Sequence, residues 1–74
     1  MGRIRQLRAA EVEKILRRYN FQKVSQKGSH RKWRNVEQQL VVIVPYHKGR
    51  TVPLGTLKSI MTQAKIPQSE WQRD

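Results

Sequence analysis

Two apolar stripes at helical spacing, separated by one short β-branched run, constrain this chain more than any other feature. Val12, Ile15, Leu16 and Tyr19 fall at i, i+3, i+4 and i+7, and so do Leu57, Ile60, Met61 and Ala64. Between them Leu40 to Val44 is continuously apolar and rich in valine and isoleucine, which fits a pleated, at least half-buried strand. A chain of 74 residues has room for one small core, so both helices must bury their stripes against the same sheet.

The remaining elements follow from local signals. Residues 1–7 are basic and without pattern, and read as a loose leader. The first helix is expected over Arg8 to Asn20, with Glu11 and Glu13 in its first turn and Arg17 and Arg18 in its last, both favourable to the helix dipole. Asn20 is placed to end it in a left-handed conformation, with Phe21 folding back on the helix. Phe21 to Gln26 reads as a strand, Gly28-Ser29 as a turn, and His30 to Asn35 as a second strand built around Trp33. Pro45 ends the third strand, and Tyr46 to Gly55 is an irregular basic loop. The second helix starts at about Gly55 or Thr56 and runs to Lys65; a tail begins at Pro67, with Trp71 packing back on the core. The expected fold is α+β in the order α-β-β-β-α, a three-stranded antiparallel meander with two helices on one face and the other face left for a partner. The whole of 1–74 is one domain with its core at about 8–66 and a short tail over 67–74.

Charge then says what kind of partner. The chain carries 16 lysines and arginines against five acids, a net charge of +11. Residues 1–34 hold eleven basic and two acidic residues, and residues 35–74 hold five and three. Between Lys14 and Val36 there are eight basic residues and no acid. Such asymmetry points to a polyanion, with nucleic acid ahead of an acidic membrane or an acidic protein. The plainer alternative, a merely soluble charged surface, has to accept the self-repulsion that so lopsided a charge brings to a small fold.

Other classes find no support. There is no cysteine, and two histidines with five scattered acids make a poor metal set. No stretch approaches the ~20 apolar residues of a membrane helix, and the basic start is not followed by the apolar region of a signal peptide, so a cytoplasmic protein without membrane, metal or cofactor is expected. There is no Walker loop and no facing pair of carboxylates, since Glu11 and Glu13 lie two apart on a helix. Ser29 and His30 are adjacent, and neighbouring strand residues point to opposite faces, which disfavours a hydrolase dyad.

The chemistry-bearing run is Lys27-Gly28-Ser29-His30. An imidazole titrates near pH ~6.5 and can take up and return a proton under cell conditions. RNA brings its own nucleophile, the 2′-hydroxyl beside each phosphodiester. One base to remove its proton and cations to stabilise the phosphorane therefore suffice, without metal or protein nucleophile. Gly28 lets backbone N–H groups approach a phosphate, Ser29 adds a hydroxyl donor, and Lys23, Lys27, Arg31 and Lys32 supply charge. His47, Lys48 and Arg50 form a second basic group in the loop after Tyr46, His47 being either a second acid, a phosphate contact or an ordinary loop histidine. His30 itself could equally be a solvated turn histidine, Trp33 an aromatic of the core rather than a stacking platform, and Lys58 an exposed helix residue.

At these residues the chain resembles a known family. A helix followed by Phe21, then Gln26-Lys27-Gly28-Ser29-His30, an apolar strand ending in Val44-Pro45-Tyr46-His47, and Pro53-Leu54-Gly55-Thr56-Leu57-Lys58-Ser59-Ile60 opening the last helix are together similar to the HicA (YcfA-like) toxins of bacterial HicA–HicB toxin–antitoxin pairs. The resemblance covers about residues 8 to 66. It implies a fold like the double-stranded-RNA-binding domain and a metal-independent mRNA interferase. It places the catalytic histidine on His30 and implies a HicB-type antitoxin that masks the toxin. Departures are Arg8-Ala9-Ala10 where a Ser or Thr cap is common, Asn20 in place of the usual Gly, and a second hairpin, Asn35-Val36-Glu37-Gln38, that lacks a Pro/Gly turn. A non-catalytic double-stranded-RNA-binding module of the same fold is the main alternative, and a DNA-binding or ribosome-associated basic protein a third.

Overall fold

A computed structural model describes residues 5–72. The elements run α1 (Ala9–Arg18), β1 (Gln22–Lys27), β2 (His30–Asn35), β3 (Leu40–Pro45), α2 (Leu54–Ala64) and α3 (Gln68–Trp71). The three strands form one antiparallel sheet in the order β1-β2-β3. This is the expected α-β-β-β-α arrangement, extended by a four-residue α3 that has no periodic signal of its own.

Each boundary has a local cause. At the start of α1 the Glu11 carboxylate accepts the Arg8 backbone N–H at 2.8 Å, so the missing Ser or Thr cap is answered from the third helical position. At its end Asn20 adopts φ +68°, and the N–H groups of Asn20 and Phe21 bond the carbonyls of Arg17 and Leu16. That is the Schellman ending, which buries Phe21 in the core. The second hairpin turns without Gly or Pro because Gln39 takes a left-handed φ of +56°. The buried Asn35 holds this turn: its Oδ1 accepts the Gln38 N–H and its Nδ2 donates to the Tyr19 carbonyl. Helix α2 begins at Leu54, a residue before the expected start, with Pro53 at its N-cap, and ends in a left-handed Lys65.

Strand parity divides the sheet. Cross-strand partners share a face, so Trp33 with Val42, Arg31 with Val44, and Asn35 with Leu40 point to one side. There Trp33, Asn35, Val42 and Val44 are buried under the helices, α2 lying mainly over β3. Val12, Ile15, Leu16, Leu57, Ile60 and Ala64 complete the core from the helices, and Trp71 is fully buried with its indole N–H on the Ile66 carbonyl. On the other side Lys32, Arg34, Val41 and Ile43 stay exposed. Every residue of β1 is exposed, and its pairing slips between Lys23 and Ser25.

The expected loose leader needs correcting. Residues 1–4 lie outside the described residues, but Leu7 is fully buried, its carbonyl accepts the Val52 N–H at 2.7 Å, and Arg8 bridges Thr51. Leu7 thus joins the described end of this segment to the core.

Candidate active site

The tip of the first hairpin carries the candidate residues. Gly28 and Ser29 form a two-residue loop between Lys27 and His30, with positive φ (+59°) at Gly28 and not at Ser29, as a type II′ turn requires. A side chain on Gly28 would meet no atom within 4 Å, so the backbone conformation, not crowding, asks for glycine. Ser29 is half-buried, and its carbonyl accepts the Tyr46 N–H at 2.7 Å, tying the tip to the end of β3.

His30 is the first residue of β2, exposed, and paired with Lys27 on one side and Pro45 on the other. It therefore lies on the open face, in a row with Lys27. Lys32 lies two residues along in a row with Ser25 and Ile43, and Arg34 beyond it in a row with Gln22 and Val41. None of these outward strand positions is acidic. The result is a histidine in a patch of lysine and arginine interleaved with aliphatic side chains.

The other expected contacts divide between this patch and elsewhere. His47, Lys48 and Arg50 are exposed in the loop that leaves the sheet right after Pro45, His30's cross-strand partner. That loop is closed by an Arg50 N–H bond to the His47 carbonyl and a positive φ at Gly49. Lys23 pairs with Trp33, so its register sets it off from His30's face, and its ammonium reaches the Gln26 side chain at 3.5 Å.

Arg31 departs most from the expectation. It shares parity with Trp33 and turns toward the helices, where its Nη1 pairs with the Glu13 carboxylate at 2.9 Å and its guanidinium lies 3.7 Å from the Tyr46 ring centroid. The other Glu13 oxygen accepts the Trp33 indole N–H at 2.9 Å, and Arg17 lies over the same indole at 5.0 Å. Trp33 is thus a core residue, with its face and N–H both engaged.

Arg34 was missed by sequence reasoning, although alternation from His30 and Lys32 puts it on the same face. Glu13 was read only as a helix-dipole residue, and its two partners lie 18 and 20 residues away, beyond any local pattern.

Among the described residues no three His, Cys, Asp or Glu side chains come together as metal ligands, and no helix is long and apolar enough to cross a membrane. A hollow of about 360 Å³ lined by Arg18, Tyr19, Asn35, Glu37 and Lys65 lies at the opposite end of β2 from His30, so it is not part of this site.

The open sheet face is therefore basic, carries a histidine at the hairpin tip, and lies over a helix-covered core. Residues 9–66 match the family described as HicA toxin of bacterial toxin–antitoxin. With more than half of its length matched, the chain belongs to the HicA toxin family, the toxin half of a pair whose other half is an antitoxin. No curated protein matches the chain.

Proposed function

We propose that this HicA-family chain is a metal-independent endoribonuclease that cleaves mRNA, with His30 as the general acid/base and a HicB-type antitoxin as its protein partner. The observation that carries this reading is the placement of His30. It is exposed on the open face between Lys27 across the hairpin and Lys32 along the strand, with no carboxylate among the outward strand positions to compete for the phosphate.

The chemistry follows from that placement. His30 removes the proton from a 2′-hydroxyl as its oxygen attacks the adjacent phosphorus. Lys27 and Lys32 balance the charge that gathers on the phosphorane oxygens, with Gly28 and Ser29 offering donors from the turn. The P–O5′ bond breaks and the 5′-oxygen takes a proton from solvent water, giving a 2′,3′-cyclic phosphate and a free 5′-hydroxyl, while protonated His30 returns its proton to solvent. Arg34, Lys48 and Arg50 hold the flanking phosphates, with His47 at the loop's edge. Arg31 is kept for the structure behind the site.

An acidic antitoxin that covers the hairpin around Gly28 to Lys32 would match this surface with carboxylates. Growth arrest on induction tests the reading. Wild-type chain should arrest growth, co-expressed antitoxin should relieve it, and His30→Ala should not arrest. If His30 only contacted phosphate, as in a non-catalytic double-stranded-RNA-binding module, the substitution would weaken binding and leave no cleavage activity to lose.

A further inference from the structure

We propose that Glu13 is a positioning residue for His30, acting through Arg31 and Tyr46; the proposal rests on the reading of His30 as the acid/base group. Glu13 is one of five acids in a chain of net charge +11, and it is buried, its side chain 3% exposed. Burying a carboxylate is unfavourable unless it is paired and hydrogen-bonded. Here both oxygens are used, Oε1 by Arg31 Nη1 and Oε2 by Trp33 Nε1, each at 2.9 Å.

The pair is placed to act on the site from behind. Arg31 is the chain neighbour of His30, and its guanidinium lies over the ring of Tyr46, which follows Pro45, the cross-strand partner of His30. The Tyr46 N–H in turn bonds the carbonyl of Ser29, the residue before His30. The neighbours of His30 along the chain and across the sheet are therefore joined to one another, and through Glu13 to α1. The β1 side of the hairpin has little packing of its own, because every residue of β1 is exposed. A segment so lightly packed opens easily unless tethered.

Arg31 depends on this acid more than a surface arginine would. Its Nε is buried without a hydrogen-bond partner, so its guanidinium is held by the Glu13 pair and the Tyr46 stack. Glu13 lies on the helix side of the sheet while His30 lies on the open side, so Glu13 does not touch the reacting atoms. Its effect is on where the imidazole stands.

The test measures single-turnover cleavage at saturating RNA, and affinity for a uniformly 2′-fluoro RNA that cannot be cleaved, in wild type, Glu13→Gln, Arg31→Lys, Tyr46→Phe and His30→Ala. Glu13→Gln and Arg31→Lys should slow cleavage by about 10- to 100-fold, the scale of a misplaced catalytic group, with affinity within about twofold of wild type. Tyr46→Phe, which keeps the ring, should cleave normally. Arg31→Lys retains the charge opposite Glu13 while losing the flat guanidinium. It therefore remains informative if Glu13→Gln does not fold. Wild-type cleavage rates in both Glu13→Gln and Arg31→Lys, or a loss of RNA affinity that matches the loss of rate, would overturn the proposal. Full cleavage by His30→Ala would instead overturn the reading of His30 as the acid/base group. The His30 ring resonances then decide on Glu13: a shift in Glu13→Gln or Arg31→Lys supports the tether, and unmoved resonances refute it.

Discussion

Replacing Lys27 and Lys32 together by alanine removes the two cations that flank His30 on the open face. Five cations sit on that face or in the loop beside it: Lys27, Lys32, Arg34, Lys48 and Arg50. For single-stranded nucleic acid, log K falls against log salt with a slope of about −0.7 for each phosphate neutralised, so five contacts give about −3.5 and the double variant about −2.1. At ~0.15 M salt the same relation makes each contact worth about fourfold in affinity, and the pair about fourteenfold. The assay is fluorescence anisotropy of a labelled 2′-fluoro RNA across a salt series, with Lys65→Ala as control because Lys65 caps α2 at the far end of β2. The loss should be nearly the same for unrelated RNA sequences, since phosphate contacts carry no base information. A double variant with the wild-type slope, or a Lys65→Ala variant that loses as much, would show that the open face is not where RNA lies.

Three further outcomes bear on the fold and the partner. Leu7→Ala should cost about 2–5 kcal/mol, as for other fully buried leucines, read as a lower urea midpoint with an unchanged slope; an unshifted midpoint would mean that residues before α1 are not part of the core. Asn35→Ala removes the hydrogen bonds to the Tyr19 carbonyl and from the Gln38 N–H and should cost about 1–3 kcal/mol, while RNA affinity holds because Asn35 points to the helix side of the sheet. A purified HicB-type antitoxin should compete with 2′-fluoro RNA and associate more slowly as salt rises. A stable ternary complex in which His30 still reacts with a histidine modifier would refute masking of the hairpin.

The parts of the fold legible in the sequence are those with a local period. Val12, Ile15 and Leu16 are buried on one face of α1, Leu57, Ile60 and Ala64 on one face of α2, and Asn20 takes the left-handed conformation expected of it. The β2 strand occupies the span its pattern indicates, His30 to Asn35. What escaped local reading depends on distant partners. Leu7 is buried where its carbonyl accepts the Val52 N–H across the fold, and α3 is four residues held by Trp71. Glu13, expected in the first turn but standing in the second turn of α1, looks like any helix acid until Arg31 and Trp33 are brought to it. The division between Lys32 and Arg31 was within reach, because alternation from a buried Trp33 sends Arg31 inward and Lys32 out. Charge alone cannot tell them apart.

Cleavage by the purified chain with and without His30 tests the central claim most directly. Wild type should cut RNA at the same rate in excess EDTA, leaving 2′,3′-cyclic phosphate or 3′-phosphate ends opposite 5′-hydroxyls. His30→Ala should stay folded, bind 2′-fluoro RNA nearly as well, and lose the ~10²–10⁴-fold that a positioned acid/base group contributes. Cleavage by folded His30→Ala at the wild-type rate, or products ending in 5′-phosphate, would contradict the account.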